Sequence, residues 1–420
     1  MEGSYKGRAL SLSVSRSPSG ARTGHCGDVI AVFAPGQGAQ SPGMLAPWLD
    51  LPGVAEQVAA FSEVTGLDIE RLGTTADADE IKDTAVTQPL LVAVGIIAAT
   101  QLGVTAAADN EQLVAGHSVG ELTAAAVSGA LSPAEAVAFA ARRGAEMAAA
   151  CALTPTGMSA VLGGEAAEVV AAIEAVGLTA ANRNGAGQIV AAGALDALEK
   201  LGEEPPAGTR VRPLAVAGAF HTHFMAPAAE ALATYAETLP VVDPRPILLS
   251  NADGSAVVTG GDLVTRLVRQ VTLPVRWDLC LRTCADLGVT AVVELAPGGV
   301  LAGIAKRELP GVEIVAVKSP DDLDKARRLI AGSPQHGQGE HTPEFQVVVT
   351  PAKGVFTRAE SMDEGQPVAR GARIGTVRTN REEHPIIAAG AGVLAEWLRN
   401  DGDIVPAGLP VARLANGSEY

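Results

Sequence analysis

The feature that most constrains this chain is a serine flanked by glycines where a short buried strand meets a helix. The apolar run Leu113-Val-Ala leads into Gly116-His117-Ser118-Val119-Gly120, and a strong helix former, Glu121-Leu-Thr-Ala-Ala-Ala-Val127, follows. A G-x-S-x-G turn between strand and helix is typical of a nucleophile elbow, whose glycines permit a tight turn. Because a helix N-terminus favours a developing oxyanion, Val119 N–H is the natural first donor to it. The pattern predicts an α/β enzyme with Ser118 as its nucleophile.

A serine nucleophile needs a base, and histidine is the usual one. Of the seven histidines, four lie in predicted disorder or near the C-terminus: His25, His336, His341 and His384. His117 adjoins the serine and is expected to point away from it. The candidates that remain are His221 and His223, and spacing alone allows either.

Composition limits the class of protein. The chain has 420 residues, and 47% of them are hydrophobic, so it is able to bury a sizeable core and is not globally disordered. A formal charge of −16 argues against a large nucleic-acid footprint. Four cysteines are too few and too scattered for a disulfide framework, and their spacing does not suggest a zinc site: Cys26, Cys151, Cys280 and Cys284. We therefore expect a reducing, cytoplasmic location.

Neither a membrane span nor a secretory signal is predicted. The most apolar stretch, residues 90–100, has about half the length needed to cross a bilayer and suits a buried helix. Residues 1–28 are basic and rich in Ser and Gly without an apolar segment, so they are predicted to form a disordered tail.

Four blocks follow one another along the chain. Alternating strands and helices predict an α/β domain over residues 29–330, with a hydrolase-like parallel-sheet core. Within it, short strands and two helices at about 155–217 predict a small ferredoxin-like α+β insert. A polar, Gly-rich linker occupies residues 331–344. Residues 345–420 show short β-type runs punctuated by Gly and Pro, which predicts a small all-β domain, a barrel or sandwich.

That last block contains an internal repeat. The pattern Gly365-x-x-Val368-x-x-Gly371-x-x-Ile374 recurs 37 residues later as Gly402-x-x-Val405-x-x-Gly408-x-x-Val411. Two similar hairpin-like halves of about 35 residues predict pseudo-twofold symmetry in this β domain.

Several short markers spread over residues 29–320 resemble those of one known family. In chain order they are Gly36-Gln-Gly-Ala-Gln40, Gln88-Pro89, Gly116-His-Ser-Val-Gly120, Arg143-Gly-Ala-Glu-Met147, Asn182, Gly218-Ala-Phe-His221, Ser250-Asn251, Gln270-x-x-x-Pro-Val-Arg-Trp277 and Glu294-Leu-Ala-Pro-Gly298. Together they make the chain similar to malonyl-CoA:acyl-carrier-protein transacylases of type II fatty-acid synthesis. The same markers resemble the acyltransferase domains of polyketide synthases.

The resemblance implies a mechanism. Ser118 attacks the thioester of malonyl-CoA while His221 accepts its proton, which gives a malonyl-serine intermediate. The pantetheine thiol of acyl carrier protein then takes the malonyl group in a ping-pong cycle, with no metal or other cofactor. The resemblance further implies that the backbone carbonyl of Gln270 orients His221. Gln37 N–H is expected to be the second oxyanion donor beside Val119 N–H.

The resemblance also assigns the substrate contacts. Arg143 is expected to bind the free carboxylate of the malonyl group, since a fixed guanidinium can hold a carboxylate bidentately. Gln88 would add a hydrogen bond near that carboxylate, and Asn182 is expected to be a further substrate-binding residue. Phe220 leaves little room for an α-methyl branch, and Val119 stands where methylmalonyl-type domains tend to carry Gln. Malonyl is therefore favoured over methylmalonyl.

The C-terminal block resembles a biotinyl/lipoyl carrier domain, a small β-barrel with two similar halves. If Glu382-Glu-His-Pro-Ile386 is aligned with the segment after the modified lysine, the lysine position falls on Arg381. An arginine cannot form the amide to biotin or lipoate, and Lys353, the only lysine of the block, lies in the other half. We therefore predict a carrier-like fold without a modification site, whose role is docking, oligomerisation or that of a remnant.

Other interpretations stay open. A thioesterase or another serine hydrolase would use the same elbow, although it would need neither Arg143 nor the loop of Gln37. A polyketide-pathway acyltransferase acting in trans would share every catalytic residue. A non-enzymatic binding module is disfavoured by the Ser118 and His221 pair.

The expected partners are malonyl-CoA and acyl carrier protein. Because a carrier protein is expected to be acidic, as this chain is, docking would need a local basic patch. Sequence clustering offers four candidates for it: Arg269, Arg276, Lys306 and Arg307.

Overall fold

The computed structural model describes residues 29–104, 112–331, 345–359, 362–379, 382–388 and 391–415. The tail predicted at 1–28, the predicted linker from residue 332 and the Arg381 position lie outside the described residues. The chain divides into two compact units. The larger comprises Ile30–Cys284 and Val289–Ser333, and the smaller contains the strands between Phe345 and Ala415.

Up to residue 331 the described chain forms ten strands and twelve α-helices. The strands are β1 (Val29–Ala34), β2 (Gln112–Gly116), β3 (Thr156–Gly163), β4 (Thr179–Gly185), β5 (Gln188–Ala194), β6 (Thr209–Pro213), β7 (Ile247–Leu249), β8 (Ala256–Val257), β9 (Val289–Glu294) and β10 (Glu313–Ala316). The helices are α1 (Val54–Thr65), α2 (Ile69–Thr74), α3 (Thr84–Leu102), α4 (Gly120–Val127), α5 (Pro133–Cys151), α6 (Ala166–Ala175), α7 (Leu195–Glu203), α8 (Ala226–Ala236), α9 (Gly260–Gln270), α10 (Trp277–Asp286), α11 (Val300–Glu308) and α12 (Leu323–Ile330). Short 3-10 helices span Ala46–Trp48, Glu80–Lys82, His223–Met225 and Pro320–Asp322.

The central sheet of the larger unit has six strands in the order β10-β9-β1-β2-β7-β8. β1 runs parallel to β2, β2 to β7, and β9 to β10, whereas β8 pairs antiparallel with β7. The α/β class is confirmed, but the sheet is mixed rather than wholly parallel. The reason is local, because the few residues between β7 and β8 suffice for an antiparallel return and not for a parallel crossover. β2, which leads into Ser118, is buried along its whole length.

Helix α3 contains the apolar stretch that the sequence predicted to be buried. Its residues from Leu90 to Ala99 are all buried, which confirms that prediction. The helix begins at Thr84, before the Thr87-Gln88-Pro89 motif, because Asp83 Oδ1 accepts a hydrogen bond from Ala85 N–H at 2.9 Å and caps it. In the described part of the chain α3 is the one helix long and apolar enough to cross a membrane, and 78% of its most apolar window is buried inside the protein.

A second sheet is formed by the strands of the segment predicted as an insert. Its order is β4-β5-β3-β6, and β3 is antiparallel to both β5 and β6, as β4 is to β5. Helix α6 connects β3 to β4, and α7 connects β5 to β6. β4 joins this sheet to the segment between α9 and α10, since Val275 N–H donates to Ala181 O at 2.8 Å and Arg183 N–H donates to Val275 O at 2.9 Å.

The smaller unit is all-β, as predicted. Its strands are β11 (Phe345–Val349), β12 (Gly354–Arg358), β13 (Pro367–Val368), β14 (Arg373–Arg378), β15 (Glu383–Ile387), β16 (Gly392–Trp397), β17 (Ile404–Val405) and β18 (Pro410–Ala415). They form two four-stranded sheets, ordered β11-β18-β16-β13 and β15-β14-β12-β17.

The internal repeat explains this topology. The repeat matches β11 with β15, β12 with β16, β13 with β17 and β14 with β18. When each strand of one sheet is replaced by its counterpart in the repeat, the strand order of the other sheet results. Each sheet therefore takes two strands from each repeat. The halves are interleaved, because four of the six strand pairings join one half to the other, and only β12–β14 and β16–β18 pair within a half. The shared core contains Phe356, Ile374, Leu394 and Val411.

Candidate active site

Ser118 occupies the turn between β2 and α4. Its backbone lies in the left-handed region, with φ of 53°, which is uncommon for a residue other than glycine. The turn is closely packed, because a Cβ at Gly120 would overlap Ala34 O and one at Gly36 would lie 2.5 Å from His117 O. The predicted elbow geometry is present, and Ser118 itself is only half-buried.

The structure places His221 beside the serine. Its Nε2 lies 2.8 Å from Ser118 Oγ, and its Nδ1 lies 2.8 Å from Gln270 O. A carbonyl oxygen accepts hydrogen bonds, so Nδ1 carries the hydrogen and the Nε2 lone pair faces the serine hydroxyl. His223 is exposed at the start of a 3-10 helix. Of the two histidines that spacing left open, His221 is therefore the one that contacts Ser118.

Burial keeps His221 neutral. Loss of hydration, and secondly the nearby charge of Arg143, lower the pKa of His221 from 6.5 to about 3. At neutral pH the imidazole is therefore unprotonated. A neutral imidazole that faces a serine hydroxyl can accept its proton.

This depressed pKa predicts the pH dependence of Ser118 acylation. A histidine with a lowered pKa gains its proton only when the pH falls toward that value. The rate of Ser118 acylation should therefore persist below pH 6.5 and decrease only as the pH approaches about 3. The measurement is kcat/KM against pH, with circular dichroism at each pH to restrict the comparison to folded enzyme. An acid limb centred near the ordinary histidine pKa would contradict the assignment.

Arg143, on α5, brings a positive charge to the same place. Its Nη1 donates to Gln88 Oε1 at 2.6 Å, and its Nη2 donates to Gln270 Oε1 at 2.8 Å and to Ser118 Oγ at 3.2 Å. The residue is only 3% exposed. Burial lowers the pKa of Arg143 to about 10, so the guanidinium remains charged at neutral pH. A buried cation whose hydrogen-bond partners are all neutral is suited to bind an anion.

Gln270 connects three of these groups. Its backbone oxygen accepts from His221, its side-chain oxygen accepts from Arg143, and its Nε2 donates to Ser118 O at 3.3 Å. The backbone contact agrees with the role that the family resemblance implies for Gln270, whereas the resemblance implied neither of the two side-chain contacts. Direct hydrogen bonds thus join five of the predicted residues: Ser118, His221, Gln270, Arg143 and Gln88.

The remaining predicted residues lie at or near this cluster. Gln37 is on the loop after β1, where its Nε2 donates to Thr84 Oγ1 at 3.4 Å, and Val119 immediately precedes α4. Phe220 is buried immediately before His221. Asn182 is buried on β4, and no hydrogen bond in the described part of the chain joins its side chain to Ser118, His221 or Arg143.

Two buried polar residues of the site carried no role in the sequence analysis. Asn251 accepts from Ser118 N–H, and Glu121 accepts from Asn251 N–H. The available signal was the Ser250-Asn251 marker, which comes directly after β7, the parallel neighbour of the strand β2 that leads into Ser118. Among the described residues, no group of three His, Cys, Asp or Glu side chains is placed to hold a metal ion.

Together the fold and the site define a class. A Ser–His pair on a tight turn at the carboxyl end of a central parallel strand is typical of enzymes that form an acyl-serine, and here a buried arginine lies beside the pair.

Comparison with known proteins gives the family. Residues 32–348 match the model of the acyl transferase domain, and this chain belongs to that family. The chain is 56% identical over 302 residues to the Mycobacterium tuberculosis malonyl CoA-acyl carrier protein transacylase, covering 72% of this chain and all of that protein. The crystal structure of MCAT from M. tuberculosis superposes with a TM-score of 0.69, covering 71% of this chain and 99% of that one.

A solved complex is also similar. A malonyl-transacylase in complex with its type II PKS acyl-carrier protein is 30% identical to this chain. Its TM-score is 0.66, and the match covers 72% of this chain and 99% of that one.

Proposed function

We propose that this enzyme transfers the malonyl group of malonyl-CoA to the pantetheine thiol of acyl carrier protein, in fatty acid biosynthesis. Its closely similar relatives carry the name of that activity. The single observation that supports the malonyl substrate is Arg143, a buried cation whose Nη2 lies 3.2 Å from Ser118 Oγ. One methylene separates the two carboxyl carbons of a malonyl group, so the free carboxylate of an acylating substrate must lie very near the nucleophile.

Acylation begins when Ser118 Oγ attacks the thioester carbon and His221 Nε2 accepts the hydroxyl proton. The backbone oxygen of Gln270 accepts from Nδ1–H and orients the imidazolium that forms. As the tetrahedral intermediate collapses, the carbon–sulfur bond breaks and the CoA sulfur takes the proton from His221. The product is malonyl-Ser118.

The oxyanion of the intermediate is bound by Val119 N–H and Gln37 N–H in this proposal. Val119 stands at the start of α4, where backbone N–H groups have no partner within the helix. The loop of Gln37 is packed against the elbow at Gly36. Deacylation reverses the sequence, with the carrier-protein thiol as nucleophile and His221 again as base.

Substrate selection follows from the walls of the site. Arg143 binds the malonyl carboxylate, with Gln88 holding the guanidinium and Asn182 serving as a further substrate contact. Phe220 and Val119 disfavour an α-methyl branch, and one methyl group is worth about 1–3 kcal/mol of discrimination.

The test of this function separates transfer from hydrolysis. The enzyme is incubated with malonyl-CoA, the acyl-enzyme is isolated, and its malonyl group is followed into carrier protein or into free malonate. We expect transfer to the thiol to exceed hydrolysis by a wide margin. Malonate as the main product in the presence of carrier protein would favour the competing thioesterase activity.

The finer domain assignments are part of the same proposal. The order β4-β5-β3-β6 with two connecting helices supports a ferredoxin-like insert within an acyltransferase domain of residues 29–330. We also place the enzyme in the cytoplasm, which agrees with the free thiols of Cys151, Cys280 and Cys284.

The interleaved sheets of residues 345–415 support a biotinyl/lipoyl-like domain after a linker at 331–344. In this proposal the domain carries no prosthetic group, because the modification position falls on Arg381. Intact mass of the protein purified from its native host should show Lys353 unmodified. A mass increase matching biotin or lipoate on that lysine would contradict the proposal.

A further inference from the structure

A buried amide lies behind the elbow and takes no part in the proposed acyl transfer. Ser118 N–H donates to Asn251 Oδ1 at 2.7 Å, and Asn251 Nδ2 donates to Gly116 O at 2.8 Å. One side chain therefore bonds the peptide groups on both sides of His117, as a neighbouring strand would. Asn251 is fully buried, so neither bond competes with water.

Asn251 is itself held by the helix that begins at the elbow. Its N–H donates to Glu121 Oε1 at 2.7 Å, and Glu121 N–H donates to Ser118 O at 3.0 Å. Glu121 is only 5% exposed. The contacts thus run from Ser118 to Asn251, on to Glu121 and back to Ser118. From the other side, Arg276 N–H donates to Asn251 O at 2.8 Å and fixes the segment after β7.

The closed ring of contacts matters because Ser118 has left-handed backbone geometry. Such geometry costs free energy in a residue with a Cβ and persists only where the surroundings enforce it. Both peptide groups of Ser118 are hydrogen-bonded within this ring. Since Ser118 N–H is already used by Asn251, it is not free to bind an oxyanion, which agrees with donation by the next amide in the chain.

We propose that Glu121 and Asn251 are positioning residues, which hold Ser118 in the left-handed conformation that brings its Oγ to His221. They act through the backbone of the nucleophile and touch no reacting atom. The proposal rests on the proposed function for its transfer assay, but reactivity of Ser118 toward a simple serine reagent tests it independently.

The experiment compares E121A, E121Q and N251A with S128A as the matched control. Ser128 is also fully buried and its Oγ donates to Ala125 O at 2.9 Å, but it does not contact the elbow. Burial raises the pKa of Glu121 to about 8, so a neutral glutamine that still accepts from Asn251 N–H is the conservative replacement. The readouts are the single-turnover acylation rate, KM for malonyl-CoA and the rate of inactivation by diisopropyl fluorophosphate.

We expect E121A and N251A to slow both acylation and inactivation by about 10- to 100-fold, with KM little changed, because the nucleophile is displaced and the substrate contacts remain. E121Q should recover most of the rate that E121A loses, and S128A should match wild type. Wild-type rates in E121A, a loss confined to KM, or an E121Q no better than E121A would each overturn the proposal. If N251A does not fold, the comparison of E121A with E121Q still tests whether Glu121 positions Ser118. A wild type that reacts with the fluorophosphate but forms no malonyl-enzyme would refute the proposed function alone.

Discussion

Replacing Ser118 with alanine should abolish malonyl transfer, lowering kcat by about four orders of magnitude or more. The variant lacks the oxygen that forms the acyl bond, and no other hydroxyl in the described part of the chain is hydrogen-bonded to His221. Arg143 loses one neutral partner in this variant and keeps Gln88 and Gln270. Binding of malonyl-CoA should therefore survive the substitution. The measurement is transfer to carrier protein, together with the mass of the enzyme after incubation with malonyl-CoA.

The control for this prediction is S128A, which removes a buried hydroxyl away from the site and should transfer at the wild-type rate. A second check uses isothermal titration of S118A with malonyl-CoA, where retained affinity shows that the pocket is intact. A malonylated S118A protein, or transfer by it at more than a trace, would show that the nucleophile lies elsewhere.

Replacing Arg143 with alanine should change which acyl group is used. Truncating one member of a buried charge pair costs about 2–5 kcal/mol, so kcat/KM for malonyl-CoA should fall by about 30- to 5,000-fold. Acetyl-CoA has no carboxylate, and with an acetyl group the wild-type guanidinium stays buried without an anion. Transfer of acetyl groups by R143A should therefore be retained or increased. The measurement is kcat/KM for both thioesters in wild type and variant.

Arg142 provides the matched control, because it has the same charge one residue away. Its side chain is 48% exposed and pairs with Glu146 in an i, i+4 salt bridge at 2.9 Å. R142A should therefore keep malonyl transfer within about twofold of wild type. R143K should give an intermediate result, since it keeps the charge and loses the fork geometry. Equal losses of malonyl and acetyl transfer in R143A would mean that Arg143 supports Gln270 and the base, and that it does not select the substrate.

The parts of the site that residue patterns predicted without the family resemblance are those whose chemistry is local. The sequence predicted the elbow at Ser118 because a tight, closely packed turn needs glycine at fixed positions on both sides of the serine. The start of α3 is also set locally, because the Asp83 side chain caps the helix at Thr84, five residues before Pro89. A proline within a helix does not mark its first residue when a capping side chain precedes it.

The parts that residue patterns alone did not predict depend on long-range contacts. Spacing did not separate His221 from His223, and the family resemblance selected His221, because the distinction depends on which of them meets Ser118, more than a hundred positions earlier in the chain. Glu121 and Asn251 are likewise more than a hundred positions apart in the chain, and neither a glutamate nor an asparagine by itself indicates a buried hydrogen-bond partner. Likewise, the repeat predicted two related halves, but it did not predict which half supplies the neighbour of each strand.

The contact between His221 Nδ1 and Gln270 O has a consequence for genetics. In a Ser–His–Asp triad the partner of the histidine is a side chain, and one substitution deletes it. Here that partner is a peptide oxygen, which every amino acid carries. Saturation mutagenesis at position 270 would therefore report the loss of the amide that holds Arg143 and Ser118, and would leave the acceptor in place. To remove the acceptor, a mutation must shift the end of α9 itself, so damage to the base would map to residues that pack this helix.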